Sequence, residues 1–160
     1  MAREPSADER RLGTVAGRTG MSIAVAESLT GGELSARFAS SPGASEWFRG
    51  GIVAYASGVK HDLLSVPVGP VVSEAAAVAM ASGACRLLGA DVAIAVTGVA
   101  GPDEQDGQLA GTVWFALHHD GTSDTHLEQF SGSPPEIVDA TCARAVRWVL
   151  DHCATRTSVA

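Results

Sequence analysis

Lysine is almost missing from this chain of 160 residues. Of its eleven cationic side chains ten are arginine, and Lys60 is the single lysine. Tyrosine is as scarce, with Tyr55 alone. Acidic residues outnumber basic ones and leave a formal net charge of −7. That balance argues against sequence-independent binding to nucleic acid or to an anionic membrane, both of which need a basic face. The three cysteines, Cys85, Cys142 and Cys153, are odd in number and far apart. They give neither a disulfide framework nor metal-ligand spacing, and read as small buried or half-buried residues. No apolar run approaches the roughly 20 residues of a membrane span, and "MAREPSADERR" lacks the apolar centre of a signal peptide. The expectation is a reduced, cytoplasmic single domain over 1–160, with an ordered core from about residue 6 to about residue 153 and a loose tail from about Ala154.

What is present is 46% hydrophobic and punctuated by helix signals. Ser6 and Glu9 have the spacing of a capping box, predicting a helix to about Arg18. Thr30 and Glu33 repeat that spacing, predicting a helix to about Ala39. An alanine-rich helix is expected from Ser73 to Leu88, closed by Gly89 in a left-handed cap. Ser133, Pro134 and Glu136 open the last helix. Between them, residues 22–27, 51–56 and 92–98 are short, β-branched and nearly all apolar, a pattern that suits strands covered on both faces. Residues 111–119 and 125–130, joined by "DGTSD", read as an antiparallel hairpin. Trp114 and Phe115 in that hairpin offer an apolar surface for a homo-oligomer. The fold class is therefore α/β: a three-layer α/β/α sandwich with a mixed, mostly parallel sheet and a late antiparallel hairpin.

In such sheets ligands bind beyond the carboxyl ends of the strands. There the sequence places Glu27, Ser28, Thr30, Gly31 and Gly32 after the first strand, Tyr55 and Lys60 after the second, and Thr97 with a glycine-rich loop, Gly98 to Gly111, after the third. A serine at a strand-to-helix turn lies near helix-start amides that can hold an oxyanion, though a turn residue before a helix explains an isolated serine equally well. The loop also fits an ordinary surface loop with Asp103, Glu104 and Asp106 solvated; it matches neither phosphate-loop nor dinucleotide fingerprints. Lys60 stands out because arginine serves for ordinary surface charge in this chain. Unlike arginine, a desolvated lysine can lose its proton near neutral pH, and a serine–lysine pair needs no histidine. His118 and His119 are neighbours in a strand and point to opposite faces, and neither His126 nor His152 lies by a glycine-rich strand end. No metal site is expected.

Together these segments resemble the C-terminal domain of CinA and its stand-alone relatives, the nicotinamide mononucleotide deamidases. "AESLTGG" is similar to the family's A-E-S-C-T-G-G, "GGIVAYASGVK" to G-G-x-V-x-Y-S-N-x-x-K, and "ADVAIAVTGVAGP" to A-D-x-x-I-A-V-T-G-I-A-G-P. The resemblance runs from the first helix to the last. It implies an amidohydrolase with a small nucleotide substrate, converting nicotinamide mononucleotide to nicotinic acid mononucleotide and ammonia without a metal or redox cofactor. In that reading Ser28 is the nucleophile and Lys60 its base. Tyr55 and Thr97 support them, while Thr30, Gly31, Gly32, Gly98 and Gly101 contact the substrate. The chain departs from the pattern in four places. Leu29 replaces a cysteine, and Gly58 follows Ser57 where asparagine is usual. Ser133 and Pro134 stand for Asp-Arg, and Asp139 stands near the place of a second arginine. Loss of those arginines, natural partners for a phosphate, supports the alternative of a catalytically impaired relative that binds a ligand or partner.

Overall fold

Alternation between bulky and small side chains decides which helices cover which face of the sheet. The computed structural model describes residues 3–157. Strands β1 (Ile23–Glu27), β2 (Phe48–Val53), β3 (Val92–Gly98), β4 (Thr112–His119) and β5 (Thr122–Gln129) form one sheet in the order β2-β1-β3-β4-β5. The pairings of β1 with β2 and with β3 are parallel; those of β4 with β3 and with β5 are antiparallel. Ile23, Val25, Val92, Ile94, Val96, Val113, Phe115 and Leu117 face one layer, made by helices α1 (Ala7–Thr19), α2 (Glu33–Ser40) and α6 (Pro134–Thr157). The intervening residues, Ala24, Ala26, Ala93, Ala95 and Ala116, face α5 (Glu74–Leu88) and Leu64 of α4 (Ser57–Leu64). Small residues on both sides of that contact let the alanine-rich α5 approach closely, whereas the opposite face fills a deeper space with branched and aromatic side chains.

Several local signals appear as expected. Ser6 accepts from the Glu9 amide at 3.2 Å while Glu9 accepts from the Ser6 amide at 3.1 Å. Ser73 caps α5, and Gly89 ends it in a left-handed conformation. Elsewhere the chain departs from its sequence pattern. Strand β2 begins at Phe48, three residues before the expected start, and its burial alternates because it is an edge strand, not a doubly covered one. A four-residue helix, α3 (Ala44–Trp47), precedes it. The hairpin turns on two residues, Asp120 and Gly121, both at positive φ, and "TSD" belongs to β5. Helix α6 continues to Thr157, so residues 154–157 of the expected loose tail are helical, and the rest of that tail lies outside the described residues. Of the two hairpin residues expected to offer an apolar surface, Phe115 is fully buried and Trp114 is half-buried against the alanine-lined core.

Candidate active site

Because β1 lies between β2 and β3, all three running parallel, their carboxyl ends open on one place. A cleft of about 320 Å³ is found there. Ser28 and Leu29 line it from the end of β1, Tyr55 from beyond β2, and residues 98–105 from the loop after β3. Ser28 is 7% exposed, and its hydroxyl takes no hydrogen-bond partner among the described residues. The strand ends are tied across this point by the Ala54 amide, which donates to the Glu27 carbonyl at 2.8 Å.

Lys60 is not among the residues that line the cleft. It is 2% exposed, and its ammonium donates to the Tyr55 carbonyl at 2.9 Å. Burial pushes its pKa below the ordinary lysine value, opposed by the charge of Asp106. Tyr55 thus meets Lys60 through its backbone, while its side chain is 70% exposed at the cleft edge. No hydrogen bond joins Lys60 to Ser28 directly. Thr97 is buried and turned elsewhere, its hydroxyl donating to the Val71 carbonyl at 2.6 Å. It anchors the segment between α4 and α5.

The substrate contacts expected from "TGG" fall away for a physical reason. Glu27, fully buried, reaches past the end of β1 and accepts from the Thr30 hydroxyl at 2.6 Å and from the amides of Gly32, Leu34 and Ser35 at 2.9, 3.2 and 2.8 Å. The Ser35 hydroxyl donates to it as well. Gly31 donates its amide to the Ser28 carbonyl. Thr30, Gly31 and Gly32 therefore build the turn and do not line the cleft; Gly98 and Gly101 do line it. Nor does a Thr30–Glu33 capping box form. Gly32, with φ of 106°, is the N-cap, and the cap is supplied by Glu27. An acidic residue closing an otherwise apolar strand was the signal for this role.

Asp106 is the other residue the sequence reading misplaced. It is not simply solvated: its carboxylate accepts from the amides of Val71 and Val72 at 2.8 and 3.2 Å. Near the start of the last helix, Asp139 makes an ion pair with Arg37, which is 5% exposed and also bridges to Glu33 and Glu9. Burial works against the Arg37 charge, but hydrogen bonds to Glu33 and Asp139 outweigh it and hold the guanidinium more firmly protonated. Among the described residues, no lysine or arginine lines the cleft. The thiols contribute no nucleophile: burial raises Cys85 and Cys153 to about 11 and Cys142 to about 12.

The model of the CinA C-terminal domain matches residues 7–153. The chain belongs to the CinA C-terminal domain family. A CinA-like protein of Citrifermentans bemidjiense is 36% identical over 153 residues, which cover 91% of this chain and 37% of that protein. A protein of Limosilactobacillus fermentum named as competence-damage inducible is 46% identical over 125 residues, 74% of this chain and 30% of its own length. This CinA-type chain thus spans about a third of the length of the curated relatives it matches. Among solved structures, a CinA superfamily protein of Klebsiella pneumoniae has a TM-score of 0.88 at 32% identity, covering 92% of this chain and 96% of that one. A competence/damage inducible protein of Agrobacterium tumefaciens has a TM-score of 0.84 at 29% identity, covering 94% and 98%. The five-stranded mixed sheet with helices on both sides is the fold of this CinA-type chain.

Proposed function

We propose that this CinA-type domain is an amidohydrolase acting on the carboxamide of a pyridine nucleotide, nicotinamide mononucleotide being the substrate its family resemblance implies. The observation that supports the reading is that Ser28 and Tyr55 both line the cleft while the Tyr55 carbonyl accepts from the chain's single lysine, which is buried. Ser28 Oγ attacks the amide carbon and its proton passes to Lys60. Lys60 then protonates the departing nitrogen, releasing ammonia, and water hydrolyses the acyl ester to the carboxylic acid and free serine. In this mechanism Lys60 Nζ leaves the Tyr55 carbonyl, or reaches Ser28 through one water, when substrate is bound. With the Gly31 and Gly32 amides engaged, the Leu29 amide beside Ser28 is the backbone donor we assign to the oxyanion. Purified protein incubated with the mononucleotide should release ammonia, and Ser28→Ala and Lys60→Met should each lower that rate by about 10²-fold or more. No ammonia from the unaltered protein, or equal release by either variant, ends this reading.

One observation favours a second reading. A cleft with Asp103 and Glu104 and no cationic lining residue is a poor seat for a phosphate. A domain that keeps the cleft but has lost the nucleotide activity would bind the unphosphorylated amide as well as the phosphorylated one. Comparing the mononucleotide with its riboside separates the two: preference for the mononucleotide supports the first reading, and binding of both without turnover supports the second.

A further inference from the structure

The outer face of α1 concentrates unpaired positive charge in an acidic chain. Arg10, Arg11 and Arg18 line a groove of about 530 Å³ there with Ala7, Thr14 and Val15. All three arginines are exposed, and none pairs with a carboxylate among the described residues. The two acidic residues of α1 are already engaged, Asp8 with Arg147 and Glu9 with Arg3 and Arg37. Three of eleven cationic side chains thus stand together in a chain of net charge −7, with no acidic residue lining their groove. The lip of the cleft has the opposite sign. Asp103 and Glu104 are exposed there, and no lysine or arginine lines it. We propose that this domain pairs with a second copy of itself, the α1 arginines of each copy seated on the Asp103–Glu104 lip of the other, so that each cleft receives its phosphate-binding cations from the other copy.

Topology lets both contacts form at once. Three residues, 20–22, join α1 to β1, and Leu12 and Ala16 pack α1 on the same core as Ile23 and Val25. The helix therefore runs opposite to β1, which sets Arg10 and Arg11 toward the end of the sheet where the cleft opens. With both patches at one end, a two-fold axis there places each on its counterpart, the arrangement that closes a dimer. The side chains are of the right kind. Arginine and tyrosine are enriched at protein interfaces and lysine is depleted. Tyr55 at the cleft edge and Leu109 farther along the loop that carries the acids add apolar surface, 70% and 66% exposed. An acidic peptide or a nucleic acid would also meet the arginines, but only a second copy accounts for the uncompensated lip as well. A guanidinium delivered in this way holds a phosphate bidentately, where one copy alone lines the cleft with no cation.

The part given to the arginines in substrate binding rests on the nucleotide reading above, but the pairing itself is tested without substrate. Sedimentation should show the 16.3 kDa chain as a dimer at low ionic strength. Salt raised to about 0.5 M should drive it toward monomer, because exposed charges are then screened over a few ångströms. Arg11→Glu with Arg18→Glu, and separately Asp103→Arg with Glu104→Arg, should each weaken dimerisation by at least about tenfold, since each sets like charges face to face. Mixing the two variants should restore it, because a mixed pair has opposite charges at both contacts. A monomeric parent, a charge-reversed variant that dimerises as the parent does, or a mixture that stays monomeric overturns the proposal. So does a monomer that holds polyglutamate through Arg11 and Arg18, which would assign the face to a foreign acidic partner. Where ammonia release is measurable, the arginine variant should raise KM for the mononucleotide more than for its riboside, and equal changes overturn the assignment of these arginines to the phosphate. Dimerisation that follows the charge pattern without any ammonia release upholds the pairing and dismisses only the amidase reading.

Discussion

Replacing Glu27 by glutamine changes a few atoms and should unseat the start of α2. The carboxylate is fully buried and accepts five hydrogen bonds: from Thr30, from the amides of Gly32, Leu34 and Ser35, and from the Ser35 hydroxyl. Glutamine can keep its oxygen toward Thr30, Gly32 and Leu34, but its NH₂ then faces the Ser35 amide donor. That leaves one buried N–H unsatisfied, at about 1–3 kcal/mol, and removes the charge that strengthens the remaining bonds. A total of about 3 kcal/mol lowers Tm by about 6–12 °C in a chain of this size. Calorimetry gives the Tm, and hydrogen exchange at Leu34 and Ser35 shows whether the loss is local. Ser35→Ala alone should cost about 1 kcal/mol, and the double variant less than the sum, because both act on one cluster. A Glu27→Gln protein melting within about 2 °C of the parent, well inside the per-kcal/mol sensitivity of Tm, would refute the internal cap.

Other perturbations read the same architecture. A Cβ on Gly51 would lie on the Ser35 hydroxyl, so Gly51→Ala should destabilise by about 1–3 kcal/mol, and by less in a Glu27→Gln background, as paired thermal melts would show. His152 lies 3.2 Å from His119, and burial, helped by the charges of Arg156 and His119, pushes its pKa down to about 4. Its folded pKa is below the unfolded one, so the unfolded chain takes up the extra proton. Stability is whole above about pH 6.5 and falls by about 2–3 kcal/mol as the pH drops toward 4. His152→Gln should flatten that stretch of a urea-denaturation pH series, and an unchanged slope would reject it.

The layers were legible because this chain writes them in periodicity. Strand β3 coincides with the expected 92–98, and α5 starts and stops on its expected cap residues. Both are set by local chemistry, a buried apolar run in one case and a serine and a glycine in the other. Strand β2 was misplaced since its own residues do not say that it is the edge; that follows from β1 pairing with β3 on the other side. The site followed the same division. Ser28, Tyr55, Gly98 and Gly101 fall around the cleft because strand ends put them there. Thr30, Thr97, Gly31 and Gly32 do not, since a hydroxyl or amide beside a cleft goes to whichever acceptor the fold supplies first, here Glu27, Val71 and the Ser28 carbonyl. The roles of Asp106 and Glu27 escaped notice because their partners lie on other elements or form only once a helix begins.

Asp139 shows how a substitution can mean something other than the loss it suggests. Along the linear chain it stands near the place where the resemblance leads one to expect an arginine, and there it would repel an anionic ligand. In the fold its charge is met by Arg37, whose guanidinium also joins Glu33 and Glu9 and thereby ties α1, α2 and α6 together. An arginine at 139 would instead face the buried Arg37 and remove the carboxylate that pairs with it from α6. Position 139 is thus committed to holding helices, and Arg37 is equally unavailable, being buried and paired with Glu9, Glu33 and Asp139. Recognition of a phosphate at this cleft would then fall to main-chain donors of the Gly98–Gly101 segment, which contribute far less than a bidentate guanidinium. The ratio of mononucleotide to riboside turnover is therefore the quantity on which the choice of substrate turns: a preference for the mononucleotide means that main-chain donors, or a cation brought from beyond these residues, read the phosphate, and equal turnover of both means that an amidase acts here without reading it.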